Sequence, residues 1–155
     1  MVRAKLRVLL LSLVSAMPGA VTGAEQAAGG IEQRFLGSWE LVSYYQFPNG
    51  EPARDMGYVG TLIYDAHGKM SGIGMPAPGT EDSAPGRGFA YWGAVSYDTE
   101  HNRVIHHVEG SPMVPRWVGQ DNIRYYEFTS DGQLKLSLKD PAGRITATLT
   151  WRKLP

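Results

Sequence analysis

His106 and His107 stand side by side in the apolar run VIHHVEG, residues 104–110. Imidazoles ligate metals and carry protons near neutral pH, so a doublet invites either reading. Strand geometry separates them: successive side chains on a strand point to opposite faces, and two neighbours cannot serve one metal or one substrate atom. Val104, His106 and Val108 share a face, which places His106 inside and leaves His107 with Glu109 outside, as an ordinary surface residue. A metal would need His106 to recruit two or more further ligands. His67 and His101 fall in turns, and the chain has no cysteine, so neither a metal nor a cofactor is expected. Nucleophilic chemistry finds no G-x-S-x-G elbow, and Ser43 and Ser71 have no evident base beside them. The Ser71–Met75 stretch has two glycines followed by prolines, unlike a phosphate loop that opens a helix. Its glycines would supply curvature, or room for a ligand on the inner face.

Arg124 is the more informative residue. The runs 103–109 and 122–129 are consecutive and should pair, bringing His106 and Arg124 onto one inner wall. An inward arginine needs compensation, and the pattern shows no inward carboxylate. Two roles follow. Arg124 could stack on Trp39 or Trp117 and bond loop carbonyls, stiffening the barrel. Alternatively it receives the carboxylate or other oxyanion of a mainly apolar ligand, with Tyr64, Tyr91, Tyr126 and His106 supplying hydrogen bonds and Trp117 closing the site.

These residues must be positioned by strands. Eight β-rich runs, 38–47, 60–65, 69–75, 89–98, 103–109, 122–129, 134–139 and 145–152, are separated by turn chemistry such as Pro48-Asn49-Gly50, Ser130-Asp131-Gly132 and Asp140-Pro141-Ala142-Gly143. The order predicts an all-β, eight-stranded antiparallel up-and-down barrel, closed so that no edge is left open. Alternation turns Leu134, Leu136 and Leu138 inward, with Ile145, Ala147, Leu149 and Trp151. In 122–129 it turns Arg124, Tyr126 and Phe128 inward. A short N-terminal helical turn is expected over Ile31–Leu36, stopped at Gly37. Two linkers exceed hairpin length: 76–88, polar and rich in Pro and Gly, reads as a flap, and 110–121, carrying Met113, Val114, Trp117 and Val118, as a plug or lid across the barrel end. The aromatic run Tyr44–Phe47, if exposed, could equally be a dimer contact, and the oligomeric state is left open.

The first residues place Arg3, Lys5 and Arg7 ahead of an apolar run that ends in small residues at Ala24. This is the pattern of a secretory signal peptide, residues 1–24, too short to span a bilayer. Residues 25–33 would form a flexible tail and 34–153 one barrel domain, periplasmic or secreted, without stable membrane insertion. Three of the 15 basic residues and none of the 15 acidic ones lie in the signal segment, so its removal leaves 12 against 15, a net −3. That balance argues against a nucleic-acid partner.

In several places the chain resembles the lipocalin-like domain family of calycin-type barrels. Gly37-Ser38-Trp39-Glu40-Leu41-Val42-Ser43 is similar to its opening G-x-W-x-L-x-S, and Gly60-Thr61-Leu62-Ile63-Tyr64 with Gly68 and Met70 to its second element. Tyr91-Trp92-Gly93, Val104–Val108, Pro115-Arg116-Trp117-Val118-Gly119 with Arg124, and Leu149-Thr150-Trp151-Arg152 follow in order, so the resemblance runs from about residue 34 to 153. It implies an eight-stranded barrel with an internal cavity and no settled activity. It also implies that Trp39 closes the barrel floor beneath Arg152. Three functions are then open: binding of a small hydrophobic or amphipathic molecule; an isomerase, cyclase or hydrolase with His106 as general acid or base, Tyr91 or Tyr64 as its partner and Arg124 stabilising an oxyanion; or a filled structural barrel.

Overall fold

The computed structural model describes residues 30–80 and 86–155. The expected signal segment and most of the tail before Gly30 lie outside these residues, as does 81–85 of the polar linker. Among the described residues a short helix, α1 (Ile31–Phe35), precedes nine strands: β1 (Gly37–Gln46), β2 (Arg54–Asp55), β3 (Tyr58–Tyr64), β4 (Lys69–Pro76), β5 (Phe89–Asp98), β6 (Arg103–Gly110), β7 (Asp121–Phe128), β8 (Leu134–Lys139) and β9 (Ile145–Lys153).

Every neighbouring pair is antiparallel, and from β3 onward each strand pairs with the next; β1 pairs with both β3 and β9, which closes an eight-stranded barrel. The two-residue β2, with too little periodicity to show in sequence, adds only to the end of β1 at Tyr45 and Gln46. Closure satisfies the backbone groups that an open sheet would expose.

Bulges set which faces point inward. Register shifts between Leu41 and Ser43 of β1, where Val42 is exposed. Trp39 lies inward before the shift, and Tyr44 joins the inner wall after it, so of the expected aromatic contact run Tyr44 faces the interior and Tyr45 the solvent. A second irregularity between Leu138 and Lys139 pairs them with Ala147 and Ile145. Ile145 is therefore 42% exposed, a correction to its expected inward place, because a bulge reverses the alternation one residue earlier. The remaining inward residues of β8 and β9 follow the pattern, with Leu134, Leu136, Ala147, Leu149 and Trp151 buried.

One end is sealed by α1. Its Phe35 is fully buried, with the rings of Tyr64, Tyr97, Tyr126 and Phe128 around it at centroid distances of 5.1, 4.9, 5.2 and 5.1 Å. Edge-on contacts dominate, as the aromatic quadrupole favours. Trp39 Nε1 donates to the Phe35 carbonyl at 2.8 Å, tying the plug to β1. The cation near the Trp39 ring is Lys153, at 5.3 Å, rather than Arg152. Arg152 stands on the outer face opposite Glu40 and forms an ion pair with it, since alternation gives the position after inward Trp151 to solvent.

The inward glycines of β4 leave space that the protein itself uses. A Cβ on Gly74 would come within 2.5 Å of the Phe89 ring, and one on Gly72 within 3.3 Å of Tyr91. Rings from β5 thus lie over β4.

Because Phe35 has no exposed surface and four ring partners, Phe35→Ala should destabilise the barrel by about 3–5 kcal/mol, the usual loss for a buried phenylalanine. Urea denaturation followed by tryptophan fluorescence reads this directly; a loss below about 1 kcal/mol would mean that α1 does not seal the barrel.

Candidate functional site

The end opposite Phe35 is not filled. A cavity of about 100 Å³ lies there, walled by Leu62, Leu136, Leu149, Trp151, Tyr91 and Arg124, with Tyr44, Phe89 and Leu138 also lining it. Trp117 covers it from a single 3₁₀ turn, Pro115–Trp117, and packs edge-on against Tyr91 at 5.4 Å. The loop carrying Trp117 is fastened down. Ser111 Oγ donates to Ala90 O at 3.0 Å, and the Gly119 N–H and Val108 N–H bond Val108 O and Gln120 O at 2.8 and 3.0 Å. Apolar Val114 is buried beneath it, while Met113 and Val118 are exposed.

His106 is 1% exposed and held from both sides. The Tyr64 hydroxyl is 2.8 Å from Nε2, and the Tyr91 hydroxyl 2.9 Å from Nδ1. Inward positions on three strands produce this row: β3 ends on Tyr64, β5 presents Tyr91, and β6 sets His106 between them. Burial pushes the His106 ring well below its ordinary value of 6.5, and the nearby Arg124 and His107 charges push the same way. It is therefore neutral at physiological pH. Burial likewise raises both tyrosines, partly opposed by Arg124, whose guanidinium bears on the Tyr91 hydroxyl by charge and by hydrogen bond.

Arg124 itself is half-buried and donates from Nη1 to Ile123 O at 3.0 Å. Among the described residues it has no carboxylate partner. The cation–ring contacts found there pair Arg34 with Phe128, Lys139 with Tyr125 and Lys153 with Trp39, none involving Arg124. Trp151 also lines the cavity, and its buried indole Nε1–H has no partner.

Of the residues singled out in the sequence, Tyr91, Trp117 and Arg124 come together on the cavity wall. Tyr64 and His106 lie behind Tyr91. Tyr126 faces the other way, into the Phe35 cluster. A proton acceptor must reach the proton it takes, so His106 can act on cavity contents only through Tyr91. Trp151 and Tyr44 were not anticipated as site residues: Trp151 looks like core in an alternating strand, and Tyr44 faces inward because of the β1 bulge.

His107 is not a bare surface residue. Ser96 Oγ lies 2.8 Å from its Nε2, and Asp121 Oδ1 2.7 Å from its Nδ1. This has the connectivity of a nucleophile, base and orienter. It sits, however, on the outer wall, with the His107 and Asp121 side chains 41% and 60% exposed, and Ser96 is in the middle of a paired strand. There backbone N–H groups serve the ladder and none is set to hold an oxyanion. The row clasps β5, β6 and β7 together from outside. Among the described residues no three His, Asp or Glu side chains converge to hold a metal.

The depressed His106 titration has a stability consequence with a definite sign. The unfolded chain takes up a proton at about pH 6.5 that the folded ring refuses, so stability is complete above that pH and falls below it, down to the folded value. Between about pH 6 and pH 5 the loss should approach 1.4 kcal/mol per unit. Denaturation curves across this range should show the slope in the native chain and a flatter one in His106→Gln.

Residues 81–154 match the model of the lipocalin-like domain family, a span that takes in β5 to β9, the Trp117 loop and Arg124. A search of curated proteins found no match. With that match over its C-terminal strands and a closed eight-stranded antiparallel barrel, the chain carries a lipocalin-like domain.

Proposed function

We propose that the barrel belongs to an exported protein and binds a small, mainly hydrophobic molecule bearing a carboxylate or similar oxyanion. The observation that carries this reading is Arg124, a cation on the wall of an apolar cavity with no carboxylate partner among the described residues. Such a charge stays hydrated or meets an anion, because an uncompensated buried charge costs several kcal/mol. A few fixed polar groups on apolar walls are what small-molecule sites use. The basic, apolar and small-residue order of the first 24 residues supports export.

Cavity size bounds the ligand. About 100 Å³ is less than the ~150 Å³ that accommodates benzene in an engineered apolar cavity. The buried part is therefore a short chain rather than a ring, with any longer tail left outside the cavity.

Hexanoate is a suitable probe, with hexan-1-ol as its uncharged counterpart. Quenching of tryptophan fluorescence should report hexanoate binding, because Trp117 and Trp151 both border the cavity. Arg124→Leu should weaken hexanoate by about 10-fold or more, the worth of a hydrogen bond to a charged group, and leave hexan-1-ol within about threefold. Equal weakening of both probes, or none, would overturn the role given to Arg124.

A further inference from the structure

The row Tyr64–His106–Tyr91 decides more than the position of Tyr91, because its hydrogen bonds have a direction. A neutral imidazole has one N–H and one bare nitrogen. One tyrosine must therefore donate to the ring, and the other must accept from it. Two arrangements satisfy this. They differ in which hydroxyl proton is left over.

If Nε2 carried the proton, Tyr64 would accept it, and the Tyr64 O–H would need another acceptor. Tyr64 is 1% exposed, its ring lies against Phe35, and among the described residues its hydroxyl has no partner other than His106. Its proton would be stranded in the core, where unpaired donors are rare and costly. If Nδ1 carries the proton, Tyr64 donates to bare Nε2 and is satisfied. Tyr91 then accepts from Nδ1–H, and the leftover proton is its own. Tyr91 alone of the pair borders the cavity, where water or a ligand can take that proton.

We infer that His106 is held as the Nδ1–H tautomer by Tyr64, and that this makes Tyr91 a hydrogen-bond donor into the cavity beside Arg124. Tyr64 and His106 are thus positioning residues that never touch the ligand. They set the polarity of the one hydroxyl that does. Arg124 and Tyr91 together then present N–H and O–H donors on the cavity wall, and the site selects an acceptor oxygen such as a carboxylate over a donor such as an amine. This inference rests on the binding reading given above for the identity of the ligand, but the tautomer is a property of the protein alone.

The ligand-free native chain, uniformly ¹⁵N-labelled, tests it by long-range ¹H–¹⁵N correlation at about pH 7.5. The expected spectrum has His106 Nδ1 at the protonated-nitrogen position and Nε2 at the bare-nitrogen position. The reverse assignment, or a doubly protonated ring, would overturn the inference whatever the protein binds. In the hexanoate assay Tyr91→Phe should weaken binding by about tenfold, as loss of a donor to an anion does; unchanged affinity in a folded Tyr91→Phe would overturn the donor role. An Nδ1–H tautomer in a native chain that fails to bind hexanoate supports the hydrogen-bond direction and removes the anion from the proposed function instead.

Discussion

The Phe35 ring sits across the bore at one end of the barrel, and the location of the remaining space follows from it. Eight strands enclose a bore that side chains can fill completely. Here five aromatic rings, Phe35 with Tyr64, Tyr97, Tyr126 and Phe128, fill the end next to α1. The Trp39 indole hydrogen bond to the Phe35 carbonyl keeps the helix seated on the first strand. With that end closed, the cavity lies toward Trp117.

Between the plug and the cavity lies the row of Tyr64, His106 and Tyr91. Burying three polar side chains is unfavourable unless each finds a partner. These find one another, at 2.8 and 2.9 Å. A neutral imidazole suits the position, because a proton there would face Arg124 in a region shielded from water. The same Arg124 charge partly offsets the burial of Tyr91. A structural need, pairing of buried polar groups, and the proposed binding role thereby share the same residues.

Much of this was legible in the chain. The eight barrel strands fall within one or two residues of the runs marked by alternation and turn residues, because period-two burial leaves a strong trace in Leu134–Leu138 and Ala147–Trp151. The inward placing of His106 and Arg124 came from the same alternation. Bulges were not legible. They cost one residue in the count and reverse the faces beyond it, which is why Tyr44 turned inward and Ile145 outward. The resemblance implies Arg152 beside the Trp39 ring, but Lys153 and Arg152 are neighbouring cations and the register with β1 puts Lys153 there.

Sequence alone determined the topology and the inner face of each regular strand, since both depend on local period and turn residues. Whether His106 meets a ligand, a metal or other protein groups was decided only by tertiary structure. That answer depends on what Tyr64 and Tyr91, 42 and 15 residues away, bring to its two nitrogens. The same holds for Arg124: its inward direction is a matter of alternation, but its lack of a carboxylate partner among the described residues is a matter of which side chains from six other strands converge on one wall.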